Sequence, residues 1–150
     1  MNIEELIKSN QPICPRKELI INLWVTSSNL NVEVAESVKS FGISMQQFNV
    51  LRILRGQKGK PANLQTIQER MVHKMSNTTR LVDKLIEKKL TERFICENNR
   101  RKVEITITKK GLSLLDELDP IITEAEERCT KNLSVKEVET LNQLLNKLRE

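Results

Sequence analysis

Two chemistries suited to one ligand lie close together between Ser76 and Gly111. The run Ser76-Asn77-Thr78-Thr79-Arg80-Leu81-Val82-Asp83-Lys84-Leu85 sets short polar side chains and two cations at helical spacing, opposite an apolar stripe. A face of that kind fits the major groove, where side chains reach base edges. It is followed by Arg93-Phe94-Ile95 and Val103-Glu104-Ile105-Thr106-Ile107, two strand-like runs whose connection carries Arg100 and Arg101. Adjacent arginines at the tip of a ribbon suit a phosphate backbone or a narrow minor groove. The candidate DNA-binding residues are therefore Ser76, Asn77, Thr79, Arg80, Lys84, Arg100 and Arg101. Taken singly, the helix face reads as a solvated surface and the arginines as solubility charges on a hairpin. Their adjacency favours the DNA reading.

Other chemistries lack their parts. Cys14, Cys96 and Cys129 are odd in number and widely spaced, which opposes both a disulfide framework and a zinc site. His73 is the sole histidine, so neither a histidine metal cluster nor a Ser-His-Asp triad can be assembled. Four glycines in 150 residues leave no phosphate-cradling loop. The expectation is no enzyme, no metal and no cofactor. A net charge of +5 and a pI near 9.2 point to an acidic partner. Twenty acidic residues offset much of the basic charge, so the positive potential must be local. No apolar run approaches the roughly 18 residues of a membrane span, and Met1-Asn2-Ile3-Glu4-Glu5 has no basic-then-apolar signal pattern. A cytoplasmic protein without membrane contact is expected.

The elements that must position these residues are mostly helical. After a loose start punctuated by Pro12 and Pro15, a long helix is predicted over about 16–40, with Leu19, Leu23, Leu30, Val34 and Val38 as its stripe. Gly42 closes it. Ser44 and Gln47 form a capping box and Ile43 and Phe48 a staple for the next helix, which the 56–61 loop breaks. Asn63 caps a short helix carrying Leu64, Ile67 and Met71. A turn at Val72-His73-Lys74 leads into a helix over about 75–89, with Thr78, Leu81, Val82 and Leu85 inward and Asn77, Arg80, Asp83 and Lys84 outward. Val103, Ile105 and Ile107 alternate as in a half-buried strand. Thr108 caps a long helix interrupted near Asp119-Pro120, and Ser134 with Glu137 starts a last one carrying Val138, Leu141, Leu144, Leu145 and Leu148. The fold class is mainly α with a small β-hairpin wing. The chain is expected to be one domain, with 44–108 reading DNA and 1–42 and 109–150 as dimerisation helices.

Ser76-x-x-Thr79-Arg80-Leu81-Val82-Asp83-Lys84-Leu85, Lys88-Lys89-Leu90, Arg93, Asn99-Arg100-Arg101 and Ile107-Thr108-x-x-Gly111, in that order, resemble the signature of MarR-type winged helix-turn-helix transcription regulators. The long first helix and Met45-Gln46-Gln47-Phe48-Asn49-Val50-Leu51 fall where that family has them, so the resemblance covers nearly the whole chain. It implies a homodimer joined by its terminal helices, bound to double-stranded DNA at a pseudo-palindromic operator. It also implies a repressor released by a small-molecule effector.

The resemblance further implies an effector pocket near the first long helices, where Trp24 and Phe48 lie. Cys14 stands about where the peroxide-sensing branch keeps its reactive thiol, which makes a thiol-based redox-sensing repressor one alternative. The chain has no tyrosine, so the hydroxyls that serve that thiol are missing. Cys96 and Cys129 read as packing residues and His73 as a solvent-facing turn residue. A non-specific architectural or protein-interaction winged helix is the other alternative. Two departures from the family pattern stand out. Lys89 replaces the usual Gly past the recognition helix, and Asn99 replaces an Asp that orients the wing arginine.

Overall fold

The capping signals become helix boundaries. The computed structural model describes residues 2–95 and 103–150. Ser44 Oγ accepts from Gln47 N at 3.2 Å while Gln47 Oε1 accepts from Ser44 N at 3.0 Å, opening α3 (Met45–Arg55, counted after α1 and α2 below). The staple pair Ile43 and Phe48 is buried beside this cap. Upstream, α2 runs Pro15–Lys39 with proline at its first turn, where the missing N–H costs no hydrogen bond. The backbone leaves that helix through Gly42, whose φ of +70° is the left-handed region that glycine enters without strain. The loose start expected before it contains a short helix, α1 (Ile3–Leu6). Asn2 Oδ1 accepts from Glu5 N at 2.8 Å and Glu5 Oε2 from Asn2 N at 3.2 Å. Asn2-x-x-Glu5 was thus the missed signal.

Asn63 Oδ1 accepts from Thr66 N at 2.7 Å and starts α4 (Leu64–Arg70). Then come α5 (Thr78–Glu87) and an antiparallel hairpin of β1 (Thr91–Ile95) and β2 (Val103–Ile107), paired from Thr91 opposite Ile107 to Ile95 opposite Val103. Ala62 adds a bridge to Ile105, with N···O distances of 2.9 and 2.8 Å in the two directions. On β2 only Ile105 is fully buried, and Val103 and Ile107 are half-buried against the core.

The interruption expected at Asp119-Pro120 is absent: α6 runs unbroken over Lys109–Thr130. A proline inside a helix removes one N–H and crowds the preceding turn. Here Leu115, Leu118, Ile122 and Ala125 bury the inner face on both sides of Pro120, and packing outweighs that local cost. Ser134 and Glu137 then cap α7 (Val135–Leu148), as their spacing indicates.

One apolar cluster joins these elements. Leu51 and Leu54 of α3, Ile67 of α4, Val82 and Leu85 of α5, Ile105 of β2 and Leu115 and Leu118 of α6 are all buried, with Val38 closing it from α2. The expected stripe of α2 is buried in this chain only at Val38, while Leu19, Ile20, Trp24 and Leu30 are exposed. On α7 no residue is buried.

Candidate nucleic-acid interface

Side-chain bonds fix the angle of α5 against α4 and α3. The hydroxyl of Thr78, itself buried, is bonded to the Gln68 carboxamide of α4. In the connecting turn, Val72 N donates to Asn49 Oδ1 of α3 at 3.0 Å and Ser76 N to the His73 carbonyl at 3.1 Å. Val82 and Leu85 lie fully buried beneath, so the opposite side of α5 must face out.

The helix is shorter than expected. Met75 is almost wholly exposed and Ser76 precedes the helix. Asn77 is its N-cap rather than an outward helical residue, its Oδ1 accepting from Arg80 N at 3.1 Å. Ser76, Asn77, Arg80 and Lys84 come together along one cleft of about 420 Å³. Gln46 of α3 forms its far wall, a contributor missed in the sequence because α3 was read only for its buried side. Thr79 is exposed on the same helix but lies outside that lining. His73 is exposed in the turn, as expected.

The wing is moored to this helix. Arg93 of β1 reaches Asp83 of α5 at 2.6 Å, so Asp83, expected to face solvent, is a structural partner of the hairpin. Arg100, Arg101, Asn99 and Cys96 lie outside the described residues.

The end of α5 resolves the departure at Lys89. Lys89 N donates to the Ile86 carbonyl at 2.8 Å and Leu90 N to the Leu85 carbonyl at 2.9 Å, the paired bonds of a Schellman turn. Buried Leu90 supplies the apolar contact such turns use. The turn requires a left-handed residue, and Lys89 adopts φ +60°. Lys89→Gly should therefore stabilise the fold by about 1 kcal/mol, visible as a higher urea midpoint with unchanged slope. An unchanged or lower midpoint would show that the lysine side chain compensates the strain. The next helix starts from the same turn. Thr108 Oγ1 donates to the Lys89 carbonyl at 2.9 Å and accepts from Gly111 N at 3.0 Å. A Cβ at Gly111 would lie 2.4 Å from the Leu90 carbonyl oxygen, so only glycine permits this approach.

Trp24 and Phe48 do not make the expected pocket within the chain. Phe48 is a core residue, 2% exposed, with the Arg52 guanidinium 5.8 Å from its ring centroid. Its surface is consumed by packing. Trp24 is 71% exposed on α2, and neither residue lines the cleft at Arg80. Cys14 is exposed at the N-cap of α2 and makes no capping bond. Burial first, and then Glu33, pushes the half-buried Cys129 thiol up, which favours its protonated form. Among the described residues no metal-holding cluster of His, Cys, Asp or Glu occurs, and no helix is long and apolar enough to cross a membrane.

A bidentate pair ties α3 to α6. Arg55 donates to Asp119 at 2.6 and 2.9 Å. The guanidinium bond holds the Asp119 carboxyl below the usual carboxylate range. With the Asp119 side chain 45% exposed, solvent screening limits the pair, so Asp119→Asn should cost no more than about 1 kcal/mol at neutral pH. That contribution is complete above the unfolded carboxyl value of about 4 and is lost as pH falls through the lower folded value. Unfolding midpoints of wild type and variant should converge in acid. A gap that persists there would assign the effect to packing.

A buried-core helix that opens a polar, cationic face beside a moored hairpin defines a winged helix-turn-helix DNA-binding protein. Residues 43–103 match the model of the MarR family, and the comparisons support a MarR-type winged-helix transcription regulator. The chain is 28% identical over 131 residues to the HTH-type transcriptional regulator MhqR of Bacillus subtilis (strain 168), covering 87% of this chain and 89% of that protein. Its fold is similar to that of a mutant MarR from E. coli complexed with operator DNA, with TM-score 0.77, 23% identity and 99% of each chain covered. It is also similar to BpsR of Bordetella bronchiseptica, with TM-score 0.76, 21% identity and 85% and 96% of the chains covered. The DNA binding of BpsR is regulated by 6-hydroxynicotinic acid.

Proposed function

We propose that this chain is a cytoplasmic, dimeric, sequence-specific repressor, without catalytic activity, that binds a pseudo-palindromic operator and is released by a small-molecule effector. The observation that carries this reading is the α5 face. Arg80 and Lys84 share one cleft with Ser76 and Asn77, on a helix whose other side is buried in the core. Residues 44–108 would read DNA, and 1–42 with 109–150 would set the distance between two recognition helices. Arg80, with Ser76, Asn77 and Thr79, is assigned to base edges and nearby phosphates, Lys84 to phosphate, and Arg100 and Arg101 to the wing contact. The regulation of BpsR by an organic acid supports the effector part of the reading.

Selection of bound sequences from a random duplex pool tests the reading. The expected product is a palindrome with half-site centres about 34–36 Å apart, one duplex turn. Arg80→Ala should relax preference at defined positions and cost about 1–3 kcal/mol per half-site. A pool that yields no palindrome would favour an architectural protein. A uniform, sequence-independent loss in the variant would restrict Arg80 to phosphate neutralisation.

A further inference from the structure

We infer that Met75, at the tip of the turn before α5, reads a thymine through its C5-methyl group and so sets part of the operator sequence. The inference deepens the proposed function, since it names a specificity-determining residue beside the same face, and therefore rests on that reading. Met75 is 98% exposed, the highest value among the large apolar side chains described. It directly precedes Ser76, which lines the cleft with Asn77, Arg80 and Lys84. Each of those four carries a hydrogen-bonding group or a charge, whereas Met75 offers only a thioether.

The tip that carries Met75 is tied down on both sides. Ser76 N donates to the His73 carbonyl at 3.1 Å, closing a turn with Lys74 and Met75 at its centre. The Gln68 carboxamide of α4 donates to the Lys74 carbonyl, and the Lys74 ammonium to the Glu69 carbonyl. Val72 N, before the turn, is bonded to Asn49 of α3 at 3.0 Å, and Asn77, after it, caps α5. The backbone around Met75 is thus fixed to α3, α4 and α5 while its side chain stands in water. A large apolar group left in water gains free energy from any apolar surface it meets. An anchored backbone lowers the ordering cost of that encounter.

The chemistry of the duplex decides which surface this is. The phosphate backbone is charged and hydrated and offers a thioether no gain. Major-groove base edges present donors and acceptors, and their one alkyl group is the C5-methyl of thymine. Methionine suits that target, being unbranched and polarisable enough to follow an irregular surface. Val72 is also exposed, at 76%, but at the opposite end of the turn from Ser76, which makes it the natural control.

The test is a double-mutant cycle between the side chain and the methyl group. Each thymine of the selected operator is replaced singly by deoxyuridine, which removes only the methyl. One defined thymine per half-site should respond. Its replacement in one half-site should lower the affinity of the full-length protein about four-fold, the ratio that corresponds to one buried CH₂. Met75→Ala should bind the thymine duplex more weakly and lose the thymine–uracil difference. Met75→Leu should keep most of that difference and Val72→Ala all of it. Thermal unfolding checks that each variant is folded. A thymine preference that survives in Met75→Ala would assign the methyl to duplex shape and overturn the inference. Its loss in Val72→Ala, or the absence of any responding thymine, would overturn it equally while leaving the repressor reading in place. If selection yields no operator, the repressor reading falls, and the same cycle on alternating dA–dT and dA–dU duplexes judges Met75 alone. Equal affinity of the wild type for both would then overturn the inference, and a thymine preference lost in Met75→Ala would sustain it.

Discussion

Operator affinity should fall by about 10³–10⁵ when salt rises from roughly 50 to 200 mM. On the proposed reading, a dimer would bring two copies of Arg80, Lys84, Arg100 and Arg101 to the duplex, with other basic residues nearby, and neutralise on the order of 6–10 phosphates. Each neutralised phosphate releases condensed counterion, and added salt opposes that release. The net charge of +5 is modest for a DNA-binding dimer subunit and limits attraction to arbitrary sequence. The ratio of operator to random-duplex affinity should therefore widen as salt rises. Titrating both duplexes across this range measures the two slopes together. A flat response would remove Arg100 and Arg101 from the phosphate backbone. Parallel slopes with no preference for any site would favour the architectural alternative.

Loss of the last helix should abolish tight binding altogether. No residue of α7 is buried in the single chain, and Leu141, Leu144 and Leu148 are 45%, 59% and 53% exposed. Trp24, at 71%, stands on α2 with Leu19 and Ile20. A capping box and helical spacing give α7 a well-formed apolar face, and an exposed face of that kind marks an interaction surface. Sedimentation at micromolar concentration should report a dimer. Removing residues 134–150, or introducing Leu141→Lys with Leu144→Lys, should give monomer or aggregate. Uncoupling two half-sites removes the intramolecular advantage of the second contact, worth about 10²–10⁴ in affinity. A well-behaved monomer with operator affinity unchanged would refute the architecture.

The sequence and the structure agree where a local rule decides the outcome. Ser44-x-x-Gln47 and Ser134-x-x-Glu137 satisfy orphan N–H groups within one turn, so both helix starts were legible. Asn2-x-x-Glu5 obeys the same rule, but α1 is only one turn long, too short for helical periodicity to mark it. Pro120 shows the opposite case. Its local rule points to a break, but Leu115, Leu118 and Ile122 pack against residues far away in sequence and carry the helix through. The site follows the same division. Arg80 and Lys84 are one turn apart on one helix, so their shared face was readable from spacing. The Asp83–Arg93 and Arg55–Asp119 pairs cross between elements, and no periodicity brings such partners together. The Trp24–Phe48 pairing had no such local rule beneath it, and the core claimed Phe48.

The cap of α5 restricts what its first polar residue can say to a base. The Asn77 amide oxygen is committed to Arg80 N, which turns the carboxamide toward the helix and leaves its NH₂ as the group to offer outward. An asparagine reads adenine by presenting oxygen and nitrogen side by side to N6 and N7. In this rotamer Asn77 keeps its full donor capacity and only part of its acceptor capacity. It can donate to an acceptor, such as a purine N7, guanine O6 or a phosphate oxygen, and only the second lone pair of its oxygen is left to accept from an exocyclic amine. The residue that caps the helix thus favours donation over acceptance, and the selected half-site should carry at most a weakened adenine preference beneath it.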